Sequence, residues 1–176
     1  MIKQFTKFYN ADNIEPIEFY GNCYNGNADL YTTMSYLPHV DTFPGADEGI
    51  NPLNDYAFNL NVTKSDKVKT AFYSFNNKKS VCDWTPDDYD DHDRVRDRHK
   101  KIKAKDWRLL SSENFQNYQL EYVANIEYNS LILYPSHYWH SVYIKEDWFT
   151  DTDRVTFTGF FETKTTSSKT KKLGFG

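Results

Sequence analysis

Histidine and aspartate side chains occur in this sequence with the types and spacing of a metal site. His39 and Asp41 are two residues apart, and in an extended backbone this spacing places both side chains on one face. A later apolar segment, residues 131–144, carries His137 and His140, three residues apart. Two imidazoles and one carboxylate can hold a non-haem Fe(II) ion and leave three coordination positions open. Three open positions are what an oxygenase requires.

The composition favours a sheet protein. The 176 residues include 14 Tyr and 13 Phe but few Ala and Leu, and aromatic side chains pack well on pleated, half-buried surfaces. The length suits a single domain with one core. We therefore predict one mostly β domain over residues 1–176, with a Ser-, Thr- and Lys-rich tail from about residue 164 that is ordered only where it docks.

Charge and hydropathy disfavour several classes of partner. A formal net charge of -4 provides no global basic field to hold nucleic acid, and no apolar run reaches the roughly 18 residues that span a bilayer. Residues 1–13 lack the apolar region of a signal peptide, and two cysteines, Cys23 and Cys82, are too few for a disulfide framework. We expect a reduced, cytoplasmic protein whose thiols are buried and unreactive.

Short apolar segments between turn-forming residues predict about eight strands. They cover residues 2–9, 30–37, 56–62, 69–75, 119–126, 130–135, 140–144 and 154–163. The Asn- and Gly-rich stretch 21–29 predicts a loop, and the polar connector between 56–62 and 69–75 predicts a hairpin. Because the pattern has no βαβ rhythm, it indicates an all-β fold with helical additions, of the sandwich or jelly-roll kind.

The last predicted strand alternates between an apolar and a polar face. Val155 and Phe157 lie on one side, and Arg154, Thr156 and Thr158 lie on the other. A polar face in a late, otherwise apolar strand must point to solvent or into a cavity. The strand is therefore a candidate wall of a binding site.

Residues 83–106 interrupt the strand pattern with a run that is acidic first and basic last. These signs suit a helix from about Asp87 to Lys105, because carboxylates favour the positive end of the helix dipole and cations the negative end. We predict a charged helical insert on the surface, with a solvated acidic start. The acidic cluster 87–93 does not have the spacing of an EF-hand loop, and the basic half predicts an exposed face rather than a nucleic-acid contact.

The order of the polar motifs resembles that of iron(II)/2-oxoglutarate-dependent oxygenases of the prolyl-hydroxylase-like branch. The matching marks are His-x-Asp at 39–41, a distal His followed by Ser at 140–141, and a later Arg-x-Thr at 154–156. The resemblance covers about residues 30–162. It implies a double-stranded β-helix, or jelly roll, and an Fe(II)- and 2-oxoglutarate-dependent dioxygenase, a hydroxylase that couples decarboxylation of 2-oxoglutarate to C–H oxidation.

The resemblance also implies a role for each matching residue. His39, Asp41 and His140 would bind Fe(II). Arg154 would clamp the distal carboxylate of 2-oxoglutarate, a pairing that suits the planar fork of the guanidinium group, and Thr156 would add a hydroxyl donor. Asn59 occupies the place from which this family commonly offers a Tyr or Asn to the cosubstrate.

The neighbours of His140 receive different interpretations. His137 is at an odd spacing from His140, so on one strand the two would face opposite ways, and we interpret His137 as a polar strand-end residue. Four tryptophans, Trp84, Trp107, Trp139 and Trp148, are expected in the core or in pocket walls, and Trp139, between the two histidines, would shape the substrate entrance. Neither His137 nor Trp139 is expected to bind the metal.

Two alternative functions remain open on the sequence. One is a jelly-roll binding or structural module whose histidines are incidental, and the other is a cupin-like metal dioxygenase or isomerase that does not use 2-oxoglutarate. Arg154 disfavours the second alternative, because a cupin has no reason for an inward Arg at that point. The sequence favours a peptide side chain or a small molecule as substrate without identifying it, and it leaves the oligomeric state open.

Overall fold

The computed structural model describes residues 13–24, 37–41, 55–99, 117–145 and 148–164. These ranges contain seven strands: β1 Asn13–Tyr24, β2 Asp55–Asn61, β3 Lys69–Phe75, β4 Tyr118–Asn125, β5 Leu131–Pro135, β6 His140–Val142 and β7 Arg154–Lys164. One α-helix, α1, spans Pro86–His99 and follows a 3-10 turn at Val81–Asp83. The all-β class with a helical addition is confirmed. The predicted strand 2–9, residues 30–36 of the predicted strand 30–37, and Trp107 lie outside the described residues.

The strands form two antiparallel sheets. The four-stranded sheet has the order β1-β7-β2-β5, and the three-stranded sheet has the order β4-β3-β6. An isolated antiparallel bridge between His39 and His140 attaches the segment 37–41 to the side of β6 that does not face β3. No helix in the described ranges is long and apolar enough to cross a membrane.

The predicted hairpin of β2 and β3 is wrong. β2 pairs with β5 and β7, whereas β3 pairs with β4 and β6, so the connector between β2 and β3 crosses from one sheet to the other. Its seven residues contain no Asn-Gly or Asp-Gly pair of the kind that fixes a tight hairpin register. The local sequence therefore does not determine which strands β2 and β3 pair with, and tertiary packing does.

The predicted loop at 21–29 is wrong at its start, because β1 continues to Tyr24. Pro16 lacks an N–H group and Gly21 lacks a side chain, so both weaken the strand signal. The β1–β7 ladder tolerates Pro16 because its register shifts between Pro16 and Glu18, as in a β-bulge. At Gly21 an added Cβ would lie 3.2 Å from the Phe157 ring, so glycine permits a close approach there.

Trp139 belongs to the core and does not shape an entrance. Its side chain is fully buried and stacks on Trp84, with ring centroids 4.9 Å apart and an interplanar angle of 19°. Phe75 of β3 and His92 of α1 also belong to this aromatic cluster. Their ring centroids lie 6.0 and 5.2 Å from that of Trp139. The cluster fixes the backbone immediately before His140.

Both cysteines are exposed rather than buried, which corrects the expectation from their residue type. Cys23 lies on β1, the terminal strand of the four-stranded sheet, and Cys82 lies in the short 3-10 turn before α1.

Helix α1 begins one residue before the predicted start. Asp87 and Asp90 of its acidic start are exposed as predicted, but Asp88 is not. Asp88 is only 5 % exposed. Its Oδ2 accepts hydrogen bonds from the backbone N–H and the hydroxyl of Thr85, at 2.7 and 2.6 Å, and pairs with Lys78. Thr85 thus precedes a helix that has Pro86 at its first position, a favoured arrangement for a helix start. The predicted end at Lys105 lies outside the described residues.

We predict that Asp88→Asn lowers the free energy of unfolding by about 1–3 kcal/mol, because the bonds to a buried charged acceptor are lost. Burial alone would raise the pKa of Asp88, but the hydrogen bonds from Lys78 and Thr85 lower it well below its usual range. The Asp88 carboxylate therefore stabilises the folded state fully at pH values above about 3.9, the pKa of Asp in the unfolded chain. This stabilisation is lost as the pH falls toward the lower pKa of Asp88 in the folded state. Urea unfolding from pH 7 down to pH 3 measures this change.

Asp87→Asn is the matched control, since Asp87 is the exposed neighbour in the same helical turn. We expect it to cost about 0.5 kcal/mol, its share of the helix-dipole interaction. Equal losses of unfolding free energy in the two variants would contradict the role of Asp88 as a buried hydrogen-bond acceptor. So would a difference between Asp88→Asn and wild type that does not narrow in acid.

Candidate metal centre

The backbone brings His39, Asp41 and His140 together. His39 and His140 exchange two backbone hydrogen bonds, each with an N···O distance of 2.9 Å, and residues paired in this way carry their side chains on the same face. The two ring centroids are 4.5 Å apart. The Asp41 N–H donates to the carbonyl of Ser136 at 2.9 Å, which fixes the carboxylate beside the two rings.

The three candidate ligand atoms lie within 4.8 Å of one another. His140 Nε2 is 3.4 Å from Asp41 Oδ2, and His39 Nε2 is 3.9 Å from Asp41 Oδ1. Neighbouring ligands at right angles around an ion, with bonds of about 2.1 Å, are about 3.0 Å apart. Closing the triad on an ion therefore requires a small movement, for which the 47 % exposed side chain of His39 has room.

Both imidazoles are oriented for metal binding by backbone carbonyls. His39 Nδ1 lies 3.1 Å from the carbonyl oxygen of Leu37, and His140 Nδ1 lies 2.9 Å from that of Tyr138. A carbonyl oxygen only accepts, so each Nδ1 carries the hydrogen and each Nε2 keeps its lone pair. This is the arrangement by which an outer hydrogen bond fixes a ligating histidine.

Burial controls the charges at this centre. It lowers the pKa of His140 to about 4. Desolvation and the neighbouring His140 also lower the pKa of His39, although the side chain of His39 is half exposed. Burial raises the pKa of Asp41 to about 6, against the opposing effect of His39. At neutral pH the centre thus has two neutral imidazoles and one carboxylate. The buried Asp41 Oδ2 has no hydrogen-bond partner, so this donor set fits a divalent cation.

The triad lies in a pocket of about 200 Å³ that also contains Arg154, Thr156 and Asn59. Arg154 is 6 % exposed and donates from Nη1 to the Thr156 hydroxyl at 3.3 Å. Its Nε is buried without a hydrogen-bond partner. Burial lowers the pKa of Arg154 to about 10, opposed by Tyr134, so the group remains a cation. Within the described ranges no carboxylate pairs with it, and its chemistry suits an anionic ligand.

Asn59 lines the pocket, but protein partners engage its amide. Its Nδ2 donates to the Tyr134 hydroxyl at 3.1 Å, and its Oδ1 accepts from the Thr158 hydroxyl at 2.7 Å. Sequence reasoning missed Tyr134 and also Thr70, whose buried hydroxyl lines the pocket without a hydrogen-bond partner. Neither β5 nor β3 alternates clearly between polar and apolar residues, so the sequence carried no local signal for these two residues.

His137 lies apart from the triad. It occupies the turn after β5, is 8 % exposed, and its carbonyl accepts a hydrogen bond from the Val81 N–H. His137 is not among the residues that line the pocket. Within the described ranges, His39, Asp41 and His140 form the single cluster of three or more potential ligands, so the acidic residues of α1 form none there.

No protein-family model and no curated protein matches this chain. Similar solved structures include an N-substituted L-amino acid dioxygenase from Burkholderia ambifaria AMMD, alone and in complex with alpha-KG. Each is 13% identical, has a TM-score of 0.44, and covers 83% of this chain and 52% of its own. A protein from E. coli (strain K12) is 11% identical, has a TM-score of 0.42 and covers 93% and 96%. The chain spans about half the length of the dioxygenase, and similarity at this level does not identify a family.

We predict that the wild-type protein binds one divalent ion and that His140→Ala weakens this binding by more than about 100-fold. Loss of a hydrogen-bond partner of a metal ligand already costs about 10- to 100-fold in affinity, and loss of the ligand itself should cost more. Anaerobic titration with Co(II), followed by its visible absorption, measures the affinity. His137→Ala is the matched control and should bind as the wild type does. Comparable losses in both variants would contradict the assignment of the centre.

Proposed function

We propose that this protein is an Fe(II)- and 2-oxoglutarate-dependent oxygenase, acting as a hydroxylase. The observation that carries the proposal is the joint presence, in one pocket, of a His/Asp/His cluster and a buried arginine. Each supplies a buried polar atom without a hydrogen-bond partner, Asp41 Oδ2 and Arg154 Nε. Buried groups of this kind are costly unless a ligand satisfies them.

In this proposal the His/Asp/His cluster holds the iron. His39 and His140 would contribute the lone pairs of Nε2, which their Nδ1 hydrogen bonds keep free, and Asp41 would contribute its carboxylate. When bound, iron and 2-oxoglutarate would supply the redox chemistry that oxidises a substrate C–H bond. The protein's part is to orient the ligands and to limit access of water.

Arg154 and Thr156 would bind the carboxylate of 2-oxoglutarate that is remote from the metal. Both side chains point into the pocket from β7, and their mutual hydrogen bond prepares a hydroxyl next to the guanidinium group. A bidentate arginine–carboxylate pair gives orientation as well as energy. This inward position of Arg154 favours a 2-oxoglutarate enzyme over a cupin-like metal enzyme.

The strand order supports a double-stranded β-helix. With the bridge at His39 counted as an eighth strand position, each sheet has four positions, and the chain changes sheets between β2 and β3, and again at every step from β4 to β7. A jelly roll distributes its eight strands between two sheets in this way. We propose that residues 1–176 form one such domain.

A small molecule or a peptide side chain is the proposed substrate class, since the net charge of -4 does not favour nucleic acid. A binding module without catalysis is the competing function. It would have no need for a metal cluster and an arginine in the same pocket.

We predict that Arg154→Ala weakens 2-oxoglutarate binding by about 30- to several-thousand-fold, because truncating one partner of a desolvated charge pair costs about 2–5 kcal/mol. Arg154→Lys should recover part of this loss, since it keeps the charge without the planar fork. Anaerobic titration of the Fe(II) protein, followed by the metal-to-ligand charge-transfer band, measures the affinity.

Iron affinity serves as the internal control and should be unchanged in both variants, because the triad is intact. Equal 2-oxoglutarate affinity in the wild type and Arg154→Ala, or no charge-transfer band in the wild type, would remove the case for a 2-oxoglutarate oxygenase. Succinate formation with candidate substrates then tests the reaction itself.

A further inference from the structure

A row of hydrogen-bonded side chains crosses the whole four-stranded sheet, with one residue from each strand. Asn22 of β1 donates from Nδ2 to the Thr158 hydroxyl of β7 at 2.8 Å. That hydroxyl donates to Oδ1 of Asn59 on β2 at 2.7 Å, and Nδ2 of Asn59 donates to the Tyr134 hydroxyl of β5 at 3.1 Å. The row follows the strand order β1-β7-β2-β5 and ends at Tyr134.

Every bond in this row runs in the same direction. An amide nitrogen donates at the start, and the Thr158 hydroxyl accepts one bond and donates the next. The phenol oxygen of Tyr134 therefore accepts from Asn59, and its own hydrogen is directed elsewhere. No residue within the described ranges accepts that hydrogen in a hydrogen bond. An unperturbed phenol has a pKa near 10, so the group is a donor at neutral pH.

The phenol lies in the wall of the candidate site, beside His140. Tyr134 is buried and lines the pocket. Its ring centroid is 4.7 Å from that of His140, and it packs edge-on against Phe72 at 5.2 Å. Burial raises the pKa of Tyr134 well above its usual value, an effect to which Asp41 adds and which Arg154 opposes. Tyr134 therefore lines the same pocket as the metal centre and Arg154.

We propose that Tyr134 is a second donor to the anionic ligand of Arg154 and that the other three residues of the row are positioning residues, which aim its O–H into the pocket. Asn59 then acts through Tyr134 instead of contacting the ligand directly. The identity of the ligand as 2-oxoglutarate rests on the proposed function, whereas the donor role of Tyr134 requires only an anion in the pocket.

The test titrates 2-oxoglutarate into the wild type and variants in two ways: with Fe(II) under anaerobic conditions, followed by the charge-transfer band, and without added metal, followed by calorimetry. Tyr134→Phe should weaken binding by about 10- to 100-fold, the value of a hydrogen bond to a charged acceptor. Tyr122→Phe, on the exposed side of β4, is the control and should bind as the wild type does.

The positioning role has a readout that general loss of packing would not give. Thr158→Val should weaken binding by about three- to tenfold, Thr158→Ser should restore it, and Thr158→Val should add nothing in the Tyr134→Phe background, because the row acts through the phenol. Thermal unfolding verifies that each variant folds.

Unchanged affinity in Tyr134→Phe, or an additive effect of Thr158→Val in that background, would overturn the inference while leaving the proposed function intact. Calorimetric binding that depends on Tyr134 without a charge-transfer band would support the inference and remove the proposed function. A wild type that binds 2-oxoglutarate in neither titration would overturn both.

Discussion

Two backbone hydrogen bonds between His39 and His140 are the constraint on which the candidate site depends. They join the segment 37–41 to β6, a strand of three residues whose other side pairs with β3. The turn before β6 is anchored by the fully buried Trp139, whose carbonyl accepts the Tyr73 N–H at 2.9 Å. The aromatic core beneath the three-stranded sheet therefore sets the position of the imidazoles.

The pocket combines opposite charges from the two sheets. Asp41 belongs to the segment attached to the three-stranded sheet, and Arg154 belongs to β7 of the four-stranded sheet. Each retains a buried polar atom without a hydrogen-bond partner, which disfavours the folded state unless the group is satisfied. A cation at Asp41 and an anion at Arg154 would satisfy both, so a ligand set of this kind would link the two sheets and stabilise the fold that binds it.

Short-range spacing was enough to predict which of the candidate side chains share one face of the backbone. The i, i+2 spacing of His39 and Asp41 and the alternation from Arg154 to Thr158 are properties of extended backbone, and the structure brings these residues to one pocket. Long-range pairing was not predictable in the same way. The hairpin was wrong because β2 and β3 find their partners in different sheets.

Other features depend on neighbours that the local sequence does not reveal. The amide of Asn59 could contact a ligand, but in the structure it forms hydrogen bonds with the hydroxyls of Thr158 and Tyr134. Trp139 follows an apolar strand and flanks a candidate ligand, but stacking on Trp84 places it in the core. Asp88 belongs to an acidic run that suggests solvent, and its burial depends on Lys78 from another part of the chain.

Anomalous diffraction from crystals grown anaerobically with Mn(II), a redox-stable substitute for Fe(II), and 2-oxoglutarate tests the central claim most directly. The account predicts one strong anomalous peak about 2.0–2.2 Å from Nε2 of His39, Nε2 of His140 and an Asp41 carboxylate oxygen, with density for a carboxylate at Arg154. A protein crystal with no peak at this triad, or with its ion bound elsewhere, would contradict it.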